Sequence, residues 1–159
     1  MSFTSNIKNE ISNIEYGHSE KMAELSAALN IGVKIYDDRF EIYTENVSVA
    51  RRLYKLIKEI YHVDIDMDTS GSNSLRGNKL VLLIVKNKND FILEDLSILE
   101  NGKRIYIPSM YLVDEDKDKQ AYLRGVFMMC GSINDPKTSR YHAEFVLIMR
   151  VVLIMLINY

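Results

Sequence analysis

The chain has 159 residues, of which 47% are hydrophobic and 26% charged, and its formal net charge is −2. This length suits one domain, or a domain of two similar halves, with a buried core. Proteins that hold nucleic acid along their whole surface normally have a basic excess, so the balanced charge argues against that class. Cys130 is the single cysteine, which excludes an intrachain disulfide and a cysteine-rich metal site and is typical of a reducing cytoplasm.

Neither end of the chain has a pattern that directs a protein to a membrane. The first residues lack the basic and apolar regions of a secretion signal. The apolar run over residues 145–157 is interrupted by Arg150 and is shorter than the ~20 residues that cross a bilayer. We therefore expect a cytoplasmic protein without a membrane partner.

In the first part of the chain, helical spacing of apolar residues predicts three helices. They cover residues 3–14, 19–31 and about 46–61. The second ends at Gly32, and the third has a continuous apolar stripe. Between these two, short alternating runs flank Asp37-Asp38 and predict a hairpin.

In the rest of the chain the order of elements restarts at Ala121. Strands are predicted over residues 63–68 and 80–85, on either side of a loop rich in serine, asparagine and glycine. Helices over about 90–99 and 120–130 follow, and then a hairpin around Asp135-Pro136. The helix over 120–130 ends at a glycine and leads into a hairpin, as the helix over 19–31 does. The sequence therefore predicts an α+β protein with an internal repeat.

The ten residues from Leu123, Leu-Arg-Gly-Val-Phe-Met-Met-Cys-Gly-Ser, resemble the LAGLIDADG motif of homing endonucleases. The first half has an equivalent helix, with Ala23-Glu24-Leu25 aligned to Ala121-Tyr122-Leu123. The resemblance implies a pseudo-twofold αββαββα fold in which the two motif helices pack side by side. In that fold small residues let the backbones approach, and the packing positions here are Ala23, Ala27, Leu123, Gly125 and Gly131.

In the endonucleases an acid near each motif helix end holds a divalent metal. The aligned positions here are Gly32 and Cys130, and neither is a carboxylate. The nearest acid, Asp135, lies in the following hairpin and does not match the motif. We therefore expect no catalytic residue, no metal ligand, no cofactor and no enzymatic activity. An ordinary close-packed core helix, and an active nuclease that uses displaced acids such as Asp135, are the alternative hypotheses.

Three longer stretches are similar to the WhiA family. They are Ser2-Phe3-Thr4-Ser5-Asn6-Ile7-Lys8-Asn9-Glu10, Thr44-Glu45-Asn46 with Ala50-Arg51-Arg52-Leu53-Tyr54-Lys55-Leu56, and Ala121-Tyr122-Leu123-Arg124-Gly125 with Gly131-Ser132-Ile133-Asn134-Asp135-Pro136. The resemblance implies a non-catalytic, nucleoid-associated domain of a DNA-binding transcription regulator of sporulation or cell division. Its first half would cover about residues 1–100 and an incomplete second half about 101–159. The helix-turn-helix domain that follows in full-length members is absent from this sequence, so we expect weak DNA binding.

The tail over residues 147–159 departs from this pattern, and we expect the similarity to end at Val146. The repeat predicts a polar loop and an amphipathic helix there, but the tail is almost wholly apolar. One hypothesis is a missing nucleotide near codon 147, because an adjacent frame written in AT-rich codons resembles the helix over 46–61. The other hypothesis is a genuine apolar helix that packs on the sheet.

The DNA-binding candidates are basic residues on the polar side of the helix over 46–61. They are Arg51, Arg52, Lys55 and Lys58. A merely solvated helix face is the alternative for them. Arg124, inside the second motif helix, needs a carboxylate or carbonyl partner if it is buried, and we expect it to brace the junction between the halves.

The third predicted strand has an acidic side. Asp64, Asp66 and Asp68 alternate along it, and carboxylates in a row repel phosphates. This face of the sheet is therefore poorly suited to DNA. It leaves open a second function class, a protein-interaction module that does not bind nucleic acid.

Overall fold

The computed structural model describes residues 2–69, 79–138, 140 and 142–145. The α-helices in these residues are α1 (Phe3–Ile11), α2 (His18–Gly32), α3 (Val47–Tyr61), α4 (Asn89–Asp95) and α5 (Asp116–Cys130), with one 3-10 turn at Met110–Leu112. The strands are β1 (Val33–Ile35), β2 (Phe40–Thr44), β3 (Ile65–Asp68), β4 (Val81–Val85), β5 (Leu99–Glu100), β6 (Lys103–Arg104), β7 (Gly131–Ile133) and β8 (Ala143–Phe145). Most of the predicted loop over 69–78 and the whole tail over 147–159, with both hypotheses about it, lie outside the described residues.

The largest sheet has four antiparallel strands in the order β1-β2-β4-β3. On its inner face Phe40 lies opposite Val85, and Ile42 lies opposite Leu83. All four side chains are buried in the main hydrophobic cluster, which α2, α3 and α4 complete. One face of an antiparallel sheet packed on helices is the arrangement of an α+β protein. The predicted fold class is confirmed.

Helix α3 follows directly from its sequence. The Asn46 side chain accepts a hydrogen bond from the Val49 backbone N–H at 3.0 Å and so caps the first turn. The apolar stripe that begins at Val49 and continues through Leu53 and Ile57 is fully buried. The helix therefore presents one face to the core and the opposite face to solvent.

The two motif helices have the same length, 15 residues, and each continues without a loop into a three-residue strand. Helix α2 is buried on several sides, because α5 packs along it and strands β1 and β2 of the sheet also contact it. A second hairpin, β7–β8, follows α5 as β1–β2 follows α2. The internal repeat is thus present in the described residues.

Local capping explains where the predicted helix bounds were wrong. Helix α1 ends at Ile11 rather than residue 14, because the Ser12 hydroxyl bonds back to the Lys8 carbonyl at 2.7 Å. Helix α5 starts at Asp116 rather than residue 120, because Glu115 and Asp118 form a reciprocal capping box.

Helix α4 is also shorter than predicted. It ends at Asp95, before Ser97 takes a left-handed backbone with a φ of 56°. Residues 99–104, expected to be helical or irregular, form the β5–β6 hairpin. No helix among the described residues is long and apolar enough to cross a membrane.

Candidate nucleic-acid interface and the paired motif helices

The two motif helices touch through their backbones at Gly125. A Cβ atom at this position would overlap the Glu24 carbonyl oxygen of α2 and would lie 2.8 Å from the Ala27 Cβ. Ala23 and Ala27 are fully buried on the α2 side. The structure therefore brings three of the five expected packing residues together at the α2–α5 crossing.

The other two packing positions have different surroundings. Leu123 is half-buried, whereas the neighbouring Tyr122 and Val126 are buried against α2. Gly131 begins β7, and a Cβ there would overlap the ring of Phe127 one turn earlier in α5. Gly131 therefore accommodates an aromatic ring of its own helix.

The ends of the motif helices, where an endonuclease would carry its acids, are filled with apolar groups. Gly32 is the last residue of α2, and the tip of the Met129 side chain lies in the space a Cβ would take. Cys130 is the last residue of α5, and its thiol donates to the Val126 carbonyl at 3.2 Å. Burial raises the pKa of this thiol to about 11, so it is neutral near neutral pH.

A lysine from α1 adds positive charge beside these helix ends. The Lys8 ammonium lies 5.8 Å from the centroid of the Phe127 ring. Burial lowers the pKa of Lys8, while its attraction to Cys130 and Glu45 raises it. A cation held here opposes the binding of a second, divalent cation.

No group of three or more potential metal ligands occurs in the described part of the chain. The displaced acid Asp135 lies in the turn after β7, where its side chain accepts a hydrogen bond from the Lys137 backbone N–H at 2.9 Å. This is a local turn contact.

The basic face of α3 is smaller than the sequence suggested. Arg51, Lys55 and Lys58 are exposed, as expected. Lys55 forms an ion pair with Glu15, and Lys58 forms one with Asp64 at 3.2 Å. Two of the three exposed cations are therefore partly neutralised by acids of the same chain.

The expected surface position of Arg52 is wrong. Its residue surface is only 2% exposed, and its Nε donates to Glu24 Oε2 of α2 at 2.9 Å. Glu24 is fully buried, and burial raises the pKa of its carboxyl, while Arg52 lowers it. The pair joins α3 to α2 and cannot contact DNA. Position 52, one turn from buried Val49, was the sequence signal for this placement.

Arg124 joins the two halves, as expected. Its guanidinium lies 3.9 Å over the ring of Tyr16, and its Nη2 is 3.6 Å from Glu20 Oε2 of α2. Tyr16 also lies 5.6 Å from the Arg52 guanidinium, so its ring is near two arginines from different helices. These contacts fix α5 on the first half of the fold.

The outer face of the four-stranded sheet is acidic at the β3 edge, and on the inner strand β2 its charges are paired within the chain. Asp66 and Asp68 of β3 are exposed, and Asp66 is 3.5 Å from the ammonium of Lys86. On β2 the Glu41 carboxylate accepts hydrogen bonds from Tyr43 and from Arg39, at 2.5 and 2.9 Å. The described part of this face offers few free cations to a phosphate backbone.

Two similar helices of one chain that pack side by side, each followed by a hairpin, define the LAGLIDADG-like class of fold. The model of the WhiA N-terminal LAGLIDADG-like domain matches residues 18–99, and that of the WhiA LAGLIDADG-like domain matches residues 119–157. The chain belongs to the WhiA family through this amino-terminal domain. The second match continues to residue 157, so the expectation that the similarity ends at Val146 is wrong.

Similar proteins have been named in several bacteria. The chain is 36% identical over 148 residues to a probable cell division protein WhiA of Staphylococcus saprophyticus, covering 91% of this chain and 47% of that protein. It is 35% identical to the corresponding protein of Lactiplantibacillus plantarum, covering 91% and 48%. The chain thus spans about half the length of the curated relatives it matches.

Two solved structures share the fold. Full-length WhiA from Thermatoga maritima superimposes with a TM-score of 0.69 at 18% identity, over 96% of this chain and 47% of that one. An isolated N-terminal LAGLIDADG domain of WhiA gives a TM-score of 0.68 at 19% identity, over 96% and 69%. The pseudo-twofold LAGLIDADG-like fold is therefore shown.

Proposed function

We propose that this chain is a non-catalytic domain of a DNA-binding transcription regulator of the WhiA type, active in the control of cell division or sporulation. The observation that carries the proposal is the state of the two motif helix ends. Gly32 and Cys130 stand where an endonuclease has its metal-binding acids, and the Met129 tip fills the space over Gly32. The names of the relatives support the role in cell division.

Loss of the acids removes the chemistry of cleavage while the fold remains. Phosphodiester hydrolysis in this class needs divalent ions held by oxygen ligands. A neutral thiol and a glycine supply none, and the Lys8 ammonium beside them repels a metal ion. The part of the architecture that remains is then the closely packed helix pair, which positions the outer surfaces.

Direct DNA contact by this domain is proposed to be weak and to use the exposed side of α3. Arg51 is the most available cation there, because Lys55 and Lys58 already have acidic neighbours. Three phosphate contacts would give a slope of log K against log salt of roughly −3 at most, far below that of a dedicated DNA clamp.

A fluorescent DNA duplex titrated with the full chain at several salt concentrations tests this proposal. We expect measurable binding at low salt, a shallow salt slope, and a clear loss on Arg51→Glu. Lys103→Glu, an exposed substitution of the same charge on β6, is the matched control and should bind as the original chain does. Equal loss in both variants, or no binding at any salt concentration, contradicts the proposal.

A second candidate is a protein-interaction module that does not bind nucleic acid. The acidic edge of the sheet, with Asp66 and Asp68 exposed, favours it. The same titration separates the two functions, because binding to phosphates weakens with salt whereas apolar burial against a protein changes little.

A further inference from the structure

Two adjoining depressions form a groove on the side of the molecule where α4 meets β1 and the β5–β6 hairpin. Their volumes are about 460 and 210 Å³, and Glu94 and Leu99 line both of them, which makes the groove continuous. The larger one is lined by Ile35, Tyr36, Asp37, Asp90, Glu94, Leu99 and Gly102. The groove is separate from the motif helix ends. Neither Gly32 nor any residue of α3 lines it.

The groove is strongly acidic. Asp37, Asp90, Glu94 and Glu100 line it, and all four residues are exposed. Within the described parts of the chain, no lysine or arginine forms an ion pair with any of the four, in contrast to Glu15, Glu24 or Asp64. Exposed carboxylates without a cation beside them favour a cationic partner.

Large apolar side chains stand exposed beside these acids. Tyr111 lines the smaller depression and is 58% exposed, and its neighbour Met110 is 75% exposed. Aromatic side chains are enriched in protein interfaces, and Tyr111 gives the groove one such exposed side chain.

The walls of the groove are already fixed in position. The Tyr111 hydroxyl donates to the Asp95 carbonyl at the end of α4, and the Tyr61 hydroxyl donates to the Asp95 carboxylate at 2.7 Å. On the opposite wall, the Tyr36 ring lies 4.1 Å from the Arg39 guanidinium. A surface ordered in advance loses less conformational entropy when a partner binds.

We propose that this groove is a docking site for a basic segment of another protein that carries an apolar anchor residue. The segment's lysine or arginine side chains would pair with Asp90 and Glu94, and its apolar residue would pack on Tyr111 and Leu99. A nucleic acid is repelled by the same carboxylates. The inference goes beyond the proposed function and does not depend on DNA binding.

The test uses a short fluorescent peptide of lysine and leucine, titrated into the full chain by fluorescence anisotropy. A lysine–serine peptide of equal charge and a glutamate–leucine peptide are the probe controls. The protein variants are Asp90→Lys and Glu94→Lys in the groove. Glu10→Lys, an exposed position on α1, is the matched control because it changes the net charge equally.

We expect the lysine–leucine peptide to bind, the serine peptide to bind more weakly, and the glutamate peptide not to bind. Each groove variant should weaken binding roughly tenfold, whereas Glu10→Lys should leave it nearly unchanged. An amide chemical-shift map should show the peptide at Leu99 and Gly102. Absence of binding, equal weakening in all three variants, or a chemical-shift map that places the peptide away from these amides overturns the proposal.

Discussion

The Gly125 Cα of α5 packs against the Glu24 carbonyl oxygen of α2, so the two motif helices meet backbone to backbone. The side chain of the same Glu24 reaches away from this contact and accepts a hydrogen bond from Arg52 of α3. One residue therefore fixes two helix pairs, through its backbone on one side and its carboxylate on the other. Substitutions at Gly125 and at Arg52 separate these two contributions.

Gly125→Ala should destabilise the fold by about 1–3 kcal/mol, because the new methyl group overlaps rigid backbone and a fully buried core has little room to relax. This is the net loss, because the overlap outweighs the roughly 1 kcal/mol by which alanine favours a helix over glycine. Urea unfolding measures the change. Gly17→Ala is the control, since a Cβ there meets only Glu20 Oε1 at 3.6 Å. A Gly125→Ala variant as stable as the original chain would contradict the close approach.

Arg52→Met should cost roughly 3–5 kcal/mol, because it leaves the buried Glu24 carboxylate without its partner. Adding Glu24→Leu to the same variant should recover much of that loss, since the uncompensated charge is then gone. Arg51→Met, one residue earlier and exposed, should change the free energy of unfolding by less than about 0.5 kcal/mol. Similar losses for Arg51→Met and Arg52→Met would refute the buried pair.

The deficit of Arg52→Met should also depend on pH. Burial raises the pKa of the Glu24 carboxyl in the folded state, and Arg52 opposes that rise, so removing Arg52 raises the pKa further. When the carboxyl pKa is higher in the folded state than in the unfolded state, the folded state loses stability as pH rises. The loss begins near the pKa of the unfolded carboxyl, about 4.3, and is complete above the pKa of the folded one. Urea unfolding at about pH 4 and about pH 7 should show the larger deficit at the higher pH. An equal deficit at both values would argue against an ionised Glu24.

Cys130 should react slowly with alkylating reagents in the folded chain. Burial raises its thiol pKa to about 11. At about pH 8 this leaves roughly a hundredfold less thiolate than an ordinary thiol has. Mass spectrometry after iodoacetamide treatment measures the rate, and the urea-unfolded chain provides the reference because Cys130 is the single cysteine. Equal rates in the folded and unfolded chain would show that the thiol is not protected.

Much of the fold could be predicted because its signals are local. The Asn46 cap, the apolar stripe of α3 and the glycine at the end of each motif helix all depend on neighbours within a few residues. The position of Arg52 one turn after Val49 was a local signal of its burial, but its partner could not be predicted in this way. Its partner Glu24 lies on another helix, and only the packed tertiary structure brings the two together.

The candidate site, too, could be predicted only where its signals are local in the sequence. The loss of acids at Gly32 and Cys130 was visible in the sequence, because the motif fixes their positions by alignment. That Met129 fills the space over Gly32, and that Lys8 comes from α1 to the end of α5, depends on contacts between distant segments. The acidic groove was missed for a similar reason, since Asp37 in the turn after β1 is far along the chain from the acids of α4 and β5.

The most direct test of the central claim, that this LAGLIDADG-like domain contacts DNA without cutting it, is one gel experiment on supercoiled plasmid. The chain is incubated with plasmid and Mg²⁺, and samples are run before and after digestion with a protease. We expect a retarded band at low salt that returns to the supercoiled position once the protein is digested. Relaxed or linear plasmid after digestion, dependent on Mg²⁺ and lost on Asp135→Ala, would contradict the claim.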